Sequence, residues 1–177
     1  MIEDLVKDLP NTAREHAIIG GNFVRWYGGL NSHAVAQEFG TEIWAPQMGR
    51  MPKEELGIAG LNHLPYLNWK EWIYKLNQFK YAVHLNPNSI AGTFSLNCAF
   101  LGIPCIGSIH TDTQRLCFPD LSVEPTDLHK AKYLATKLKI DTEFYNAQSA
   151  SSKVYYKQYF CEESYLQHWG DILASLD

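Results

Sequence analysis

Three short groups of residues, each closing an apolar run, could do chemistry. Gly20-Gly21-Asn22 ends the run His16-Ala-Ile-Ile, and Arg25 follows as a cation. Asn88-Ser89 and then Gly92-Thr93 follow the run Tyr81-Ala-Val-His-Leu85, and Asn97 lies one helical turn beyond. Glycine after a strand lets a ligand approach the backbone closely. A helix opening at Gly92-Thr93 presents free N–H groups and the positive end of its dipole. Two such bends at one sheet edge could hold an anion such as a phosphate, with Arg25 supplying charge.

The other reactive types read as structural. Cys98, Cys105, Cys117 and Cys161 form no C-x-x-C pair and are expected to be reduced thiols, mostly in the core. The seven histidines show no H-x-x-x-H spacing, so no metal and no resident cofactor is called for. His110 reads as a surface loop histidine. Tyr155, Tyr156, Tyr159 and Phe160, like Trp69 and Trp72, read as aromatic packing at helical spacing.

These groups need a scaffold, and 177 residues suffice for a single domain over 1–177, with 46% hydrophobic and 19% charged residues. A helical extension is expected over 1–15 and closing helices over 141–177. The net charge of -4 argues against nucleic acid as a partner. Glu3 and Asp4 stand where a secretory leader carries positive charge, and no apolar run approaches the ~18 residues of a membrane span. A cytoplasmic location without a transmembrane segment is the expectation.

Strands are expected at 16–19, 41–45, 63–67, 81–85, 103–107 and 121–124. Helices are expected at 2–9, 30–39 capped by Asn31 or Ser32, 69–79 capped by Asn68, 91–101, and from a Thr126 cap. Two amphipathic segments follow, at 141–160 and 162–176. A loop covers 46–60, with one helical turn at 53–56. Strand and helix alternate, which predicts an α/β domain of Rossmann-like type: a mostly parallel sheet between helical layers. Gly20-Gly21 lacks the G-x-G-x-x-G spacing of a dinucleotide site.

The block Tyr81 to Ser108, with its Asn-Pro-Asn-Ser turn, Gly92, small-residue helix and Leu101-Gly-Ile-Pro-Cys-Ile-Gly107, resembles the donor-binding signature of GT-B-fold glycosyltransferases of the family 4 type. Gly20-Gly21-Asn22 is similar to that family's first glycine turn, and Phe160 to Trp169 to its closing helix. The resemblance implies the C-terminal half of a two-domain enzyme, binding a nucleoside diphosphate sugar as donor substrate. Gly20, Gly21, Asn22, Arg25, Asn88, Ser89, Gly92, Thr93 and Asn97 would form the donor site. Glycosyl transfer would then need an acceptor-binding domain, or a homo-oligomer.

All four charged signature positions differ from the family pattern. Ser89 and Asn97 stand where the family has glutamates, and Asn22 and Tyr27 where it has Arg and Lys. No catalytic residue is assigned. A noncatalytic binding module that keeps the half-fold is the alternative.

Overall fold

A computed structural model of the chain describes residues 9–21, 23, 27–47 and 57–175. Six parallel strands make one sheet: β1 (Glu15–Ile19), β2 (Ile43–Pro46), β3 (Leu61–Leu64), β4 (Phe79–His84), β5 (Cys105–Ser108) and β6 (Ser122–Val123). Their spatial order is β3-β2-β1-β4-β5-β6. The order therefore reverses between β1 and β4, where an open parallel sheet leaves a crevice at its carboxyl ends.

The two central strands explain why the expected runs were so continuous. Ala17, Ile18 and Ile19 in β1, and Tyr81 to His84 in β4, are all buried. Successive strand residues point to opposite faces, so both faces of the sheet are covered. The chain is the Rossmann-like α/β fold that the alternation predicted.

Seven α-helices are found among the described residues: α1 (Gly29–Ala36), α2 (Trp69–Leu76), α3 (Thr93–Leu101), α4 (Asp112–Cys117), α5 (Leu128–Ile140), α6 (Thr142–Phe160) and α7 (Glu162–Ala174). α2 opens with a reciprocal cap, in which the Asn68 side chain accepts from the Glu71 N–H and the Glu71 carboxylate accepts from the Asn68 N–H, both at 3.0 Å. α3 closes on Gly102 in the left-handed region, with the Ile103 N–H bonding back to Cys98 O at 2.8 Å.

Several boundaries differ from expectation, each for a physical reason. The cap of α1 is Gly28, not Asn31 or Ser32. Ser32 sits a turn inside, where its hydroxyl donates to Gly28 O and accepts from the Leu85 N–H, both at 2.9 Å. Asp127, not Thr126, caps α5 through the Lys130 N–H. β3 stops before Pro65, which has no N–H for a further ladder bond. Phe79 leaves α2 to pair with Glu15 at the start of β4. α4 was not expected at all. The helical extension expected over 1–15 is not found where it is described, since residues 9–14 form no helix and Glu15 opens β1; residues 2–8 and the turn expected at 53–56 lie outside the described residues.

The amino edge of the sheet is closed by one side chain. Arg14 donates to Asn77 O (3.2 Å), Asn77 Oδ1 (2.7 Å), Leu101 O (2.7 Å) and Gly102 O (3.2 Å). These acceptors cluster at the C-terminal ends of α2 and α3, where unpaired carbonyls carry negative partial charge and favour a cation. α6 packs along α3, α4 and α5 and buries Tyr156, the packing role expected for that aromatic run. α7 buries no side chain, and none of the described helices is long and apolar enough to cross a membrane.

Candidate functional site

A cavity of about 440 Å³ opens at the carboxyl ends of β1, β2 and β3. Gly21 lines it where the chain leaves β1, Pro46 and Gln47 where it leaves β2, and Leu64 to Leu67 where it leaves β3. Trp69 and Trp72 contribute from α2; Thr93, Phe94 and Asn97 contribute from α3. Apart from the Tyr66 phenol, no ionisable side chain lines it among the described residues.

Of the residues expected to form the site, Gly21, Thr93 and Asn97 meet in this cavity. Asn97 carries its most telling feature. The side chain is 3% exposed, and its Oδ1 has no hydrogen-bond partner. A buried acceptor left unpaired costs about 1–3 kcal/mol, so a fold keeps one where something else supplies the donor.

Gly20 and Gly92, each next in sequence to a lining residue, do not line the cavity and serve the packing beside it. A Cβ at Gly20 would stand 2.7 Å from the Phe94 ring and 2.9 Å from His84 Cγ. Gly92 is left-handed, with φ 91, and a Cβ there would run into the side chains of Thr111 and Thr113. The Thr113 hydroxyl also donates to Gly92 O at 2.6 Å. Glycine is thus required at both positions by close approach of the protein itself.

α3 starts from this glycine with no side-chain cap on its first N–H groups. Asn88 and Ser89 stand on an exposed loop and do not line the cavity; the Asn88 N–H and amide both donate to Asn86 Oδ1 at 2.9 Å. Asn22 and Arg25 lie outside the described residues. His110 is on the surface and pairs with Glu124 at 3.2 Å.

His84, at the end of β4, was missed by sequence reasoning. It is 5% exposed, its ring meets Phe94 edge-on at 5.3 Å, and its Nδ1 has no partner. Burial lowers its pKa to about 4, so the ring is neutral at pH 7. Trp69 and Trp72, expected only to pack, also wall the cavity, although Trp72 does pack on Phe94 at 6.2 Å. No periodic pattern separates an aromatic facing a cavity from one facing the core.

No family model matches the sequence, and no match is found among curated proteins. Solved structures do match. Sucrose-phosphate synthase from Thermosynechococcus elongatus superposes with a TM-score of 0.71 at 15% identity, over 98% of this chain and 48% of that one. WaaG, a glycosyltransferase involved in lipopolysaccharide biosynthesis, matches with a TM-score of 0.62 at 12% identity, over 82% of this chain and 44% of that one. TarM matches with a TM-score of 0.63 at 10% identity, over 93% of this chain and 36% of that one. The chain thus spans about half the length of the first of these structures or less, and its fold is that of one half of a GT-B glycosyltransferase.

Proposed function

We propose that the chain is a glycosyltransferase-like domain that binds a nucleoside diphosphate sugar at the carboxyl edge of its sheet. With an acceptor-binding domain or partner it would transfer the glycosyl group. The observation that carries this reading is Asn97, a residue lining the cavity whose amide Oδ1 is buried and unpaired. A hydroxyl of the ligand would satisfy it. A neutral bond of that kind contributes about 0.5–1.5 kcal/mol, against roughly 1.5–3 for one to a carboxylate, so binding is weakened rather than lost. The uncapped start of α3 offers N–H groups to a phosphate, and Arg25 follows closely on Gly20-Gly21 in the sequence.

One observation favours the noncatalytic alternative. Ser89 is uncharged and exposed, and the described cavity lining holds no carboxylate, imidazole, thiol or amine to act as acid or base, only the Tyr66 phenol.

Calorimetry with UDP-, GDP- and ADP-sugars tests the reading. One of them should bind, and no heat from any would overturn it. Incubation with the bound donor and a range of acceptors then separates the alternatives, since binding without transfer or hydrolysis selects the noncatalytic module. Asn97→Glu should raise donor affinity roughly tenfold, as a charge-assisted bond replaces a neutral one; unchanged affinity would remove Asn97 from the site.

A further inference from the structure

We infer that the apolar face of α7 is an interface for a second copy of this chain, which receives it on the basic outer face of α5. The inference is independent of the donor reading, since neither helix lines the cavity.

α7 has an apolar face but no core to bury it in. Tyr165, Leu166, Trp169, Ile172 and Leu173 recur at the spacing of one helical stripe, and each is 47–60% exposed. The helix buries no side chain, and a helix of 13 residues is marginal in water unless such a stripe is packed. Half of five large side chains amounts to on the order of 500 Å² of apolar surface in one patch, a size that marks an interaction site.

Charge selects the occupant. α7 carries Glu162, Glu163 and Asp171 with no lysine or arginine, so a second α7 would meet it with like charge. α5 is its opposite, with Lys130, Lys132, Lys137 and Lys139 and no carboxylate. Glu38 engages Lys132 through its carboxylate at 2.9 Å and Lys139 through its backbone oxygen at 3.4 Å. Lys130 and Lys137 instead share the outward stripe with Tyr133 and Ile140, which are 62% and 73% exposed. Both stripes stay open to water within one chain, so α7 does not cover its own α5. Two copies related by a two-fold axis would make the α7–α5 contact twice and bury in total on the order of 1,500 Å², the area of a standard specific interface.

The test is sedimentation equilibrium on the full chain, where a dimer should form with a Kd in the micromolar range. A monomer at every concentration up to about 100 μM would overturn the inference and leave the face to a different partner. The dimer should weaken as salt is raised from about 0.05 to about 0.5 M, because charge pairing contributes to it. A dimer that only tightens in salt would be held by apolar contact alone, and α5 would not be its seat.

Two pairs of substitutions locate the contact. Leu166→Ala with Trp169→Ala should raise the Kd about 100-fold, as loss of an aromatic anchor does. Lys130→Glu with Tyr133→Ala should raise it about tenfold or more, as like charges then face each other. All four side chains are exposed, so the circular dichroism of dilute, monomeric protein should be unchanged in both variants. A carboxylate at position 130 also suits the first turn of α5 and keeps that variant folded. A dimer that withstands either pair is built from other faces, and the inference falls.

Discussion

The two edges of the sheet treat their polar groups in opposite ways. At the amino edge, Arg14 binds four carbonyl oxygens, the Asn77 amide donates to Pro10 O at 3.1 Å, and the Ser149 hydroxyl donates to Gly102 O at 2.6 Å. On the carboxyl side, His84 Nδ1, Asn86 Nδ2, Ser95 Oγ, Asn97 Oδ1 and Thr111 Oγ1 are buried without partners. A buried polar group stabilises a fold when it is paired and costs stability when it is not. The amino edge is therefore built for stability, and the carboxyl edge keeps unmade bonds next to a cavity.

Breaking the paired edge should have the largest effect. Arg14→Ala takes a donor from Leu101 O and from both Asn77 oxygens, Gly102 O keeping the Ser149 hydroxyl, and removes the cation from two helix ends, so stability in urea titrations should fall by about 3 kcal/mol. Arg14→Lys should recover only part of this, because one ammonium cannot span acceptors on α2 and α3 as a guanidinium fork does. A loss below about 1 kcal/mol for the alanine variant would mean that water replaces the clamp and that the edges do not differ as described.

The next effect is on the unpaired side and depends on pH. The pKa of His84 is about 4 in the folded chain, against an ordinary value of 6.5. Between these values the unfolded chain binds the extra proton, so the stability present above pH 6.5 is lost as pH falls towards 4. The full loss is about 3 kcal/mol, from 2.5 units at 1.36 kcal/mol each. Urea titrations at about pH 7 and about pH 5 should show part of it, and His84→Gln should flatten the dependence. An equal slope in the variant would move the effect to other groups.

The contrast between the edges was only partly legible in the residues. β1 and β4 announced themselves because burial on both faces demands unbroken apolar runs, and α3 because Gly92 and Gly102 bound it. Gly21 and Thr93 followed from position, since a bend after one central strand and a helix after another must converge at a switch point, and Asn97 from the resemblance to the donor-binding signature. The aromatic wall did not follow. Trp72 and Phe94 are 22 positions apart, and their contact exists only once α2 and α3 lie side by side. His84 was hidden for the same reason, as its burial depends on Phe94 from the next helix and on Gly20 from another strand. α4, with six residues and a polar start, is too short to show a period.

The smallest effect discriminates best, because its sign is unusual. Most core substitutions destabilise, yet Asn97→Leu removes an acceptor that is already unpaired and replaces it with an apolar group of similar volume. Stability without ligand should stay level or rise by up to about 1 kcal/mol. Ligand affinity should fall about tenfold, since the hydroxyl that Asn97 accepts would then be buried without a partner. If the variant is destabilised by more than about 2 kcal/mol instead, Asn97 is paired in the folded protein, as by a fixed water, and the carboxyl edge is as fully satisfied as the amino edge. A stable variant with lost binding shows the reverse, that the fold keeps the unpaired amide at a cost in stability for the sake of its ligand.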